Sequence, residues 1–269
     1  MDRVKTTKSA SEEKTNFIKP ILTIDFLEAP MKSQLFEVFD RIYIINLTAR
    51  TDRRKEMINQ LKKIGISPDD ERLEFYAACR PEDPSQFPTI GAKGCFMSHL
   101  GILKDAMKRK LNRVAIFEDD LNFSNDFNVL FPSMIKHLRT YNWSIFYGGY
   151  QLKKNLESES QYGLIEIPSD TEIRTTHFVC FHSNAIAKSV AYLEALASRQ
   201  AGDPNGGPMH VDGAYSWFRR SHPSFVTLAA NPQLGYQRSS RTDIHDLGWK
   251  DKIPVIRNIV GSLRKLKIT

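Results

Sequence analysis

Along the middle of the chain, short apolar runs of strand length alternate with longer stretches of helical periodicity. Arg41-Ile42-Tyr43-Ile44-Ile45-Asn46-Leu47 is rich in β-branched and aromatic residues and predicts a strand. An amphipathic helix follows, with Met57, Leu61 and Ile64 at helical spacing and Gly65 as its stop. Glu74 to Ala78 reads as a second, shorter strand, and the proline-rich stretch from Pro81 to Pro88 as a loop. Gly91 to His99 then runs into a helix through Leu100, Leu103 and Met107 that ends in Lys108-Arg109-Lys110, cations that suit a last helical turn.

The next run, Val114-Ala115-Ile116-Phe117, has no polar alternation, as expected of a strand covered on both faces, and it stops abruptly in Glu118-Asp119-Asp120. Beyond it, Phe123 to Leu138 predicts a helix that turns Phe127, Leu130, Phe131, Ile135 and Leu138 inward. Trp143 to Tyr147 predicts a buried strand ending at Gly148-Gly149, where missing side chains let a ligand come close to the backbone. Thr176 to His182 is a strand leading into a helix from Ala185 to Ser198, and Gly202 to Pro208 is a loop. Strands alternating with helices predict an α/β fold whose central sheet carries helices on both faces.

The flanks differ from this body. Residues 1 to 16 are polar and predicted to be disordered, and Ile21 to Leu27 fits an edge strand or a short helical segment. Lys153 to Tyr162 is polar, a candidate mobile loop. From Pro254 onward, Val255, Ile256, Ile259, Val260, Leu263 and Leu266 fall near one helical face, with Arg257, Arg264, Lys265 and Lys267 around the remainder. That pattern fits a helix lying on an anionic membrane surface and equally one packed on the core with a solvated basic face. The expected organisation is therefore an N-terminal extension over 1–37, a folded body over 38–249 and a basic amphipathic helix over 250–269.

Composition narrows the class. With 269 residues, 41% of them hydrophobic, the chain can bury a full-sized core. No stretch approaches the ~18 apolar residues of a spanning helix, and the N-terminus lacks a signal-peptide apolar region, so the expected location is cytoplasmic. Cys79, Cys95 and Cys180 are widely spaced without a CxxC pair, and the expectation for each is a reduced, small buried residue. The net charge is +7, but residues 1–37 are neutral and residues 250–269 hold six basic side chains against one acidic, leaving only +2 for the body. A nucleic-acid-binding domain would carry its basic stripe on the folded body, so that class is not expected.

Three acids at the carboxyl end of a strand sit where open α/β sheets bind ligands. Crowded carboxylates repel and raise one another's pKa unless a cation neutralises them, and a hard divalent ion held through oxygens does so most simply. Spacing alone fits a solvated acidic turn as well. Arg50, Arg53 and Arg54 crowd around Asp52 in the loop after the first strand, and their forks suit phosphate oxygens at a helix start. No glycine-rich phosphate loop accompanies them. His177 and His182 are read as structural histidines.

Tyr43-Ile44-Ile45-Asn46-Leu47 with Arg50, Asp52 and Arg53, then Gly94-Cys95 with Ser98-His99, then Glu118-Asp119-Asp120, resembles the family 25 glycosyltransferases. These are enzymes of lipopolysaccharide and lipooligosaccharide synthesis, to which collagen galactosyltransferases are related. The three blocks stand in the family's order, and the likeness covers roughly residues 38 to 245. Ala92 departs from it, since the family often has an acid before the Gly-Cys pair.

The resemblance implies a Rossmann-like type A glycosyltransferase fold with a mixed central sheet, using a nucleotide-sugar donor, a UDP-hexose, and Mn2+ or Mg2+. It places Asp120 as the direct metal ligand, with Glu118 nearer the ribose or a metal-bound water. Asn46, Arg50, Asp52 and Arg53 would line the nucleoside pocket, with Ser98, His99 and Asp119 also on the donor side. The late polar motif from Pro232 to His245 would bring Gln237 and Ser240 to the donor, and His245 either completes the metal shell or is a surface histidine. Inverting transfer needs a carboxylate to take the proton from the attacking hydroxyl, and Asp212 is the candidate, with helix N-capping as its competing role. The acceptor implied is a glycolipid or polysaccharide. Two other classes stay open, an inactive relative kept as a binding module and a sugar nucleotidyltransferase; intact acids disfavour the first, and the missing glycine-rich loop the second.

Overall fold

The computed structural model describes residues 17–18, 34–152 and 163–238. The expected edge strand at Ile21 to Leu27, the polar loop from Lys153 to Tyr162, and the C-terminal helix with Ser240 and His245 all lie outside these residues.

Ten strands and six helices follow one another as β1 (Phe17–Ile18), α1 (Gln34–Val38), β2 (Arg41–Asn46), α2 (Thr51–Lys63), β3 (Leu73–Ala77), α3 (Ile90–Lys108), β4 (Arg113–Glu118), β5 (Leu121–Phe123), α4 (Phe127–Thr140), β6 (Ile145–Leu152), β7 (Gly163–Glu166), β8 (Ile173–His182), α5 (Ser183–Ser198), α6 (Val211–Ser221), β9 (Thr227–Asn231) and β10 (Gly235–Gln237). Eight strands form one sheet in the order β1-β7-β9-β6-β8-β4-β2-β3, and β5 pairs with β10 beside it. The sheet is mixed. β2 runs parallel to β3 and β4, and β6 runs parallel to β9, while β8 is antiparallel to both β4 and β6.

Strand alternation divides the interior into two cores. Ile42, Ile44, Ala115, Phe117, Phe178 and Cys180 face one side with α1, α2 and α4; Tyr43, Ile45, Val114, Ile116, Val179 and Phe181 face the other with α3, α5 and α6. The helices expected on both faces are thus present. The five inward residues assigned to α4 are all buried. α1 crosses the residue-37 boundary expected from the sequence, because Leu35 and Val38 are both in the core.

Three features differ from the sequence expectations. The helix expected from Phe123 begins at Phe127, since Phe123 pairs with Gly235 as the last residue of β5. α3 begins at Ile90, capped by the Thr89 hydroxyl accepting from the Ala92 amide at 2.9 Å, so Gly91 to His99 are already helical. Gly148 and Gly149 serve packing rather than ligand approach. A Cβ on Gly148 would meet the Phe178 ring at 2.5 Å, and one on Gly149 would meet His177 Nε2 at 2.3 Å and the Gly235 carbonyl at 2.5 Å. These glycines let β6 sit against β8 and β10.

The register explains how β8 departs from a plain strand. Tyr147 pairs with Val179 and Gly149 with Phe178, so β6 has one extra residue there; Gln151 then pairs with Arg174, so β8 carries two extra residues around Thr175–His177. Paired bulges of this kind bend a strand and re-aim its side chains.

Candidate active site

The parallel strands β2 and β4 end side by side, with Ile45 opposite Glu118. Beyond their carboxyl ends lies a cleft of about 540 Å³, walled by the loop Leu47–Arg50, Arg53, the segment Ala78–Pro81, the first turns of α3 and the three acids. That volume is in the range of small-molecule sites and suits a nucleotide. α3 closes one wall tightly, since a Cβ on Gly94 would stand 2.6 Å from the Cys79 carbonyl oxygen.

The acids are distinct in their surroundings. Asp119 accepts from Asn46 Nδ2 at 2.7 Å and from Arg53 Nη1 at 2.8 Å. Burial nonetheless raises its pKa against the pull of Arg53 and Asn46. Glu118 accepts from the Thr176 hydroxyl at 2.6 Å, and His99 Nε2 stands 3.6 Å from the same oxygen. Burial works against the Glu118 charge, but His99 and Thr176 outweigh it and hold the carboxyl below its usual range.

Asp120 is only 5% exposed. Its Oδ2 accepts from Gln237 Nε2 at 3.2 Å and lies 3.8 Å from Arg53 Nη1, while Oδ1 has no hydrogen-bond partner among the described residues. Burial first, and then the Glu118 charge, push its carboxyl up to about 7. A buried carboxylate oxygen without a partner, beside a second acid, fits a hard cation, and the oxygens of Asp120 and Glu118 match magnesium or manganese. Cys95, His99 and Glu118 also bring donor atoms within 4.8 Å of one another. Burial and the surrounding acids, Glu118 first and then Asp212, push the Cys95 thiol well above its ordinary range, so it stays protonated.

A second cavity, about 100 Å³, shares Glu118 and Cys95 with the cleft and is completed by Ala92, Thr175, Thr176, His210, Val211, Asp212 and Gln237. Asp212 lies in the first turn of α6, where His210 holds the N-cap position, so the capping alternative does not describe it. Its Oδ2 accepts from the Thr175 amide at 3.2 Å and its Oδ1 from the Gly213 amide at 2.7 Å. Thr175 has φ +64°, a left-handed conformation that costs a β-branched residue about 1–3 kcal/mol.

Of the residues expected from sequence, Arg50, Arg53, Ser98, Glu118, Asp119 and Asp120 line the cleft, and Glu118, Asp212 and Gln237 meet around the smaller cavity. Asn46 stands behind the cleft and fixes Asp119. His99 is fully buried behind Glu118, its Nδ1 3.1 Å from the Tyr215 hydroxyl. Asp52 is exposed outside the cleft lining; the Arg50 fork grips it at 2.9 Å and 3.0 Å and holds it well below the carboxylate range. Ser98 is wholly buried, donating to the Gly94 carbonyl and accepting from the Cys79 amide. Cys79 is exposed and Cys95 half-buried, both on cleft walls, so only Cys180 matches the buried role expected of all three. The sequence reading passed over Thr175, Thr176, Arg80 and His210, which carry no motif; only their place in the fold marks them.

The fold is a mixed, Rossmann-like sheet in which a central strand ends in acids at a nucleotide-sized cleft. The model of glycosyltransferase family 25 (LPS biosynthesis protein) matches residues 39–195, and the chain belongs to that family. It is 28% identical over 193 residues to the mouse inactive glycosyltransferase 25 family member 3, covering 61% of this chain and 32% of that protein. Procollagen galactosyltransferase 1-A of Xenopus laevis is 28% identical over 151 residues, 48% of this chain and 24% of its own length. The chain thus spans about a third or less of these relatives. Among solved structures, a glycosyltransferase involved in the glycosylation of the major capsid of PBCV-1 aligns with TM-score 0.45 and 12% identity over 75% of this chain and 96% of that one. Among the described residues no helix is long and apolar enough to cross a membrane.

Proposed function

We propose that the protein is a metal-dependent hexosyltransferase that moves galactose or glucose from a UDP-sugar to a hydroxyl of a glycolipid or polysaccharide acceptor, with inversion. The observation that carries this reading is the junction of two cavities at Glu118, with paired acids on the larger and Asp212 across the smaller. Galactose is supported by the procollagen galactosyltransferases among the relatives.

In this reading Arg50 and Arg53 face the diphosphate, whose charge suits their forks. Asp120, with Glu118, would hold a divalent cation. Such an ion, when bound, offsets the charge that develops on the departing nucleotide. Asp212 takes the proton from the acceptor hydroxyl as its oxygen bonds to the anomeric carbon and the bond to the diphosphate breaks. Its two amide hydrogen bonds fix the carboxylate in place before the acceptor arrives.

A second reading is a sugar-nucleotide-binding protein without transfer activity, supported by the relatives named as inactive. A nucleotide-release assay over a panel of sugar nucleotides, with and without manganese, separates the two. Manganese-stimulated release that disappears in Asp120→Ala is expected. Donor binding with no release in the wild type would leave the binding role, and unchanged turnover in Asp120→Ala would reject the metal assignment.

A further inference from the structure

The bulge in β8 is built around two adjacent threonines that reach the acids on either side of the smaller cavity. Thr176 donates its hydroxyl to Glu118, and Thr175 donates its amide to Asp212. Bringing that amide around demands the φ of +64° at a β-branched residue, a conformation rarely adopted without a functional or packing constraint. Thr175 is among the residues lining this cavity, and its Oγ1 is buried without a hydrogen-bond partner among the described residues. A buried hydroxyl in that state is normally satisfied by water or a ligand.

We propose that Thr175 is a specificity-determining residue whose hydroxyl bonds to a hydroxyl of the hexose carried by the donor, with the smaller cavity as the seat of that sugar. The proposal rests on the sugar-nucleotide reading above. The nucleotide-sized space is the larger cleft, and the smaller cavity shares Glu118 and Cys95 with it and is lined also by Asp212. A sugar attached to a diphosphate in the cleft would therefore enter it. A threonine hydroxyl both donates and accepts, so it can pair with a sugar hydroxyl in either sense. A site built to bond a hydroxyl discriminates strongly, because the wrong partner leaves a buried group unpaired.

The test is calorimetric titration of the full chain, with manganese, by UDP, UDP-galactose and UDP-glucose. Thr175→Val keeps the β-branched shape and removes the hydroxyl; Thr175→Ser keeps the hydroxyl. Valine is expected to lower affinity for the preferred UDP-hexose about tenfold while leaving UDP affinity unchanged, and serine to restore the hexose preference. Thr175→Gly, whose backbone accepts the same φ, is expected to lose the hexose contribution with a melting temperature no lower than wild type, so the test survives a misfolded valine variant. Equal weakening of UDP and UDP-hexose, or none, in both the valine and glycine variants would overturn the proposal. A wild type that binds neither UDP-hexose would instead remove the donor reading, and that result is visible before any variant is made.

Discussion

At the scale of single residues, Asp120 couples function to stability. Its carboxyl stands at about 7 against an ordinary 3.8, so in the metal-free protein the folded state binds a proton that the unfolded state has released across that window. Stability therefore falls as pH rises from 3.8 to about 7, and the loss stays in full above the upper value. Asp120→Asn mimics the protonated form. In urea melts without metal it should exceed wild type in stability at pH 8, with the gap shrinking toward pH 5; manganese should then stabilise wild type and not the variant. A variant no more stable than wild type at pH 8 would show that Arg53 and Gln237 already neutralise the group. The acids were legible in the sequence as three like charges at the end of an apolar run, and it was the neighbouring blocks of the family pattern, not their spacing, that set them apart from a solvated turn. Thr175 and Thr176 were not, since a threonine in a strand signals only β propensity, and their role depends on a two-residue slip in register.

At the scale of elements, the strands and helices that present the site were largely readable. β2, α2 and β4 carry uninterrupted apolar or helical periodicity, and their burial follows it. What the pattern could not show is which distant segment completes the site. β10 pairs with β5 so that Gln237 lies opposite Leu121, delivering its amide to Asp120, and that pairing rests on side-by-side backbones rather than on any periodicity. The fully buried Arg219 of α6 is another long-range device. Its guanidinium donates to the Thr227 hydroxyl and to the carbonyls of Ile167, Pro168 and Thr171, tying the loop that enters β8 to the helix that carries Asp212. Burial pushes its pKa down, and the Asp170 charge opposes that shift. Arg219→Met keeps much of the apolar stem but strips the guanidinium from the Ile167 and Thr171 carbonyls, leaving the Pro168 carbonyl with the Thr171 amide, and should cost about 3 kcal/mol in urea unfolding. A loss below about 1 kcal/mol would mean that water replaces the guanidinium at those carbonyls.

At the scale of the whole molecule, charge is placed apart from chemistry. The body carries little net charge, whereas residues 250–269 hold six basic side chains against one acidic in a pattern of apolar positions at helical spacing. A transferase acting on glycolipid gains by lingering at an anionic surface, and a tail of this kind adds electrostatic attraction of about 1 kcal/mol per basic residue near that surface. Such attraction is screened by salt, while burial of the apolar face is not. Sedimentation with vesicles containing phosphatidylserine should therefore capture the full chain at low ionic strength, release part of it as salt rises, and capture much less of a form lacking residues 254–269. Equal capture of both forms would assign the tail to packing on the body, in which case the truncated form should instead lose thermal stability. Among the described residues the groups that frame the two cavities run from Ile45 to Gln237, and the truncated form is expected to keep its manganese response.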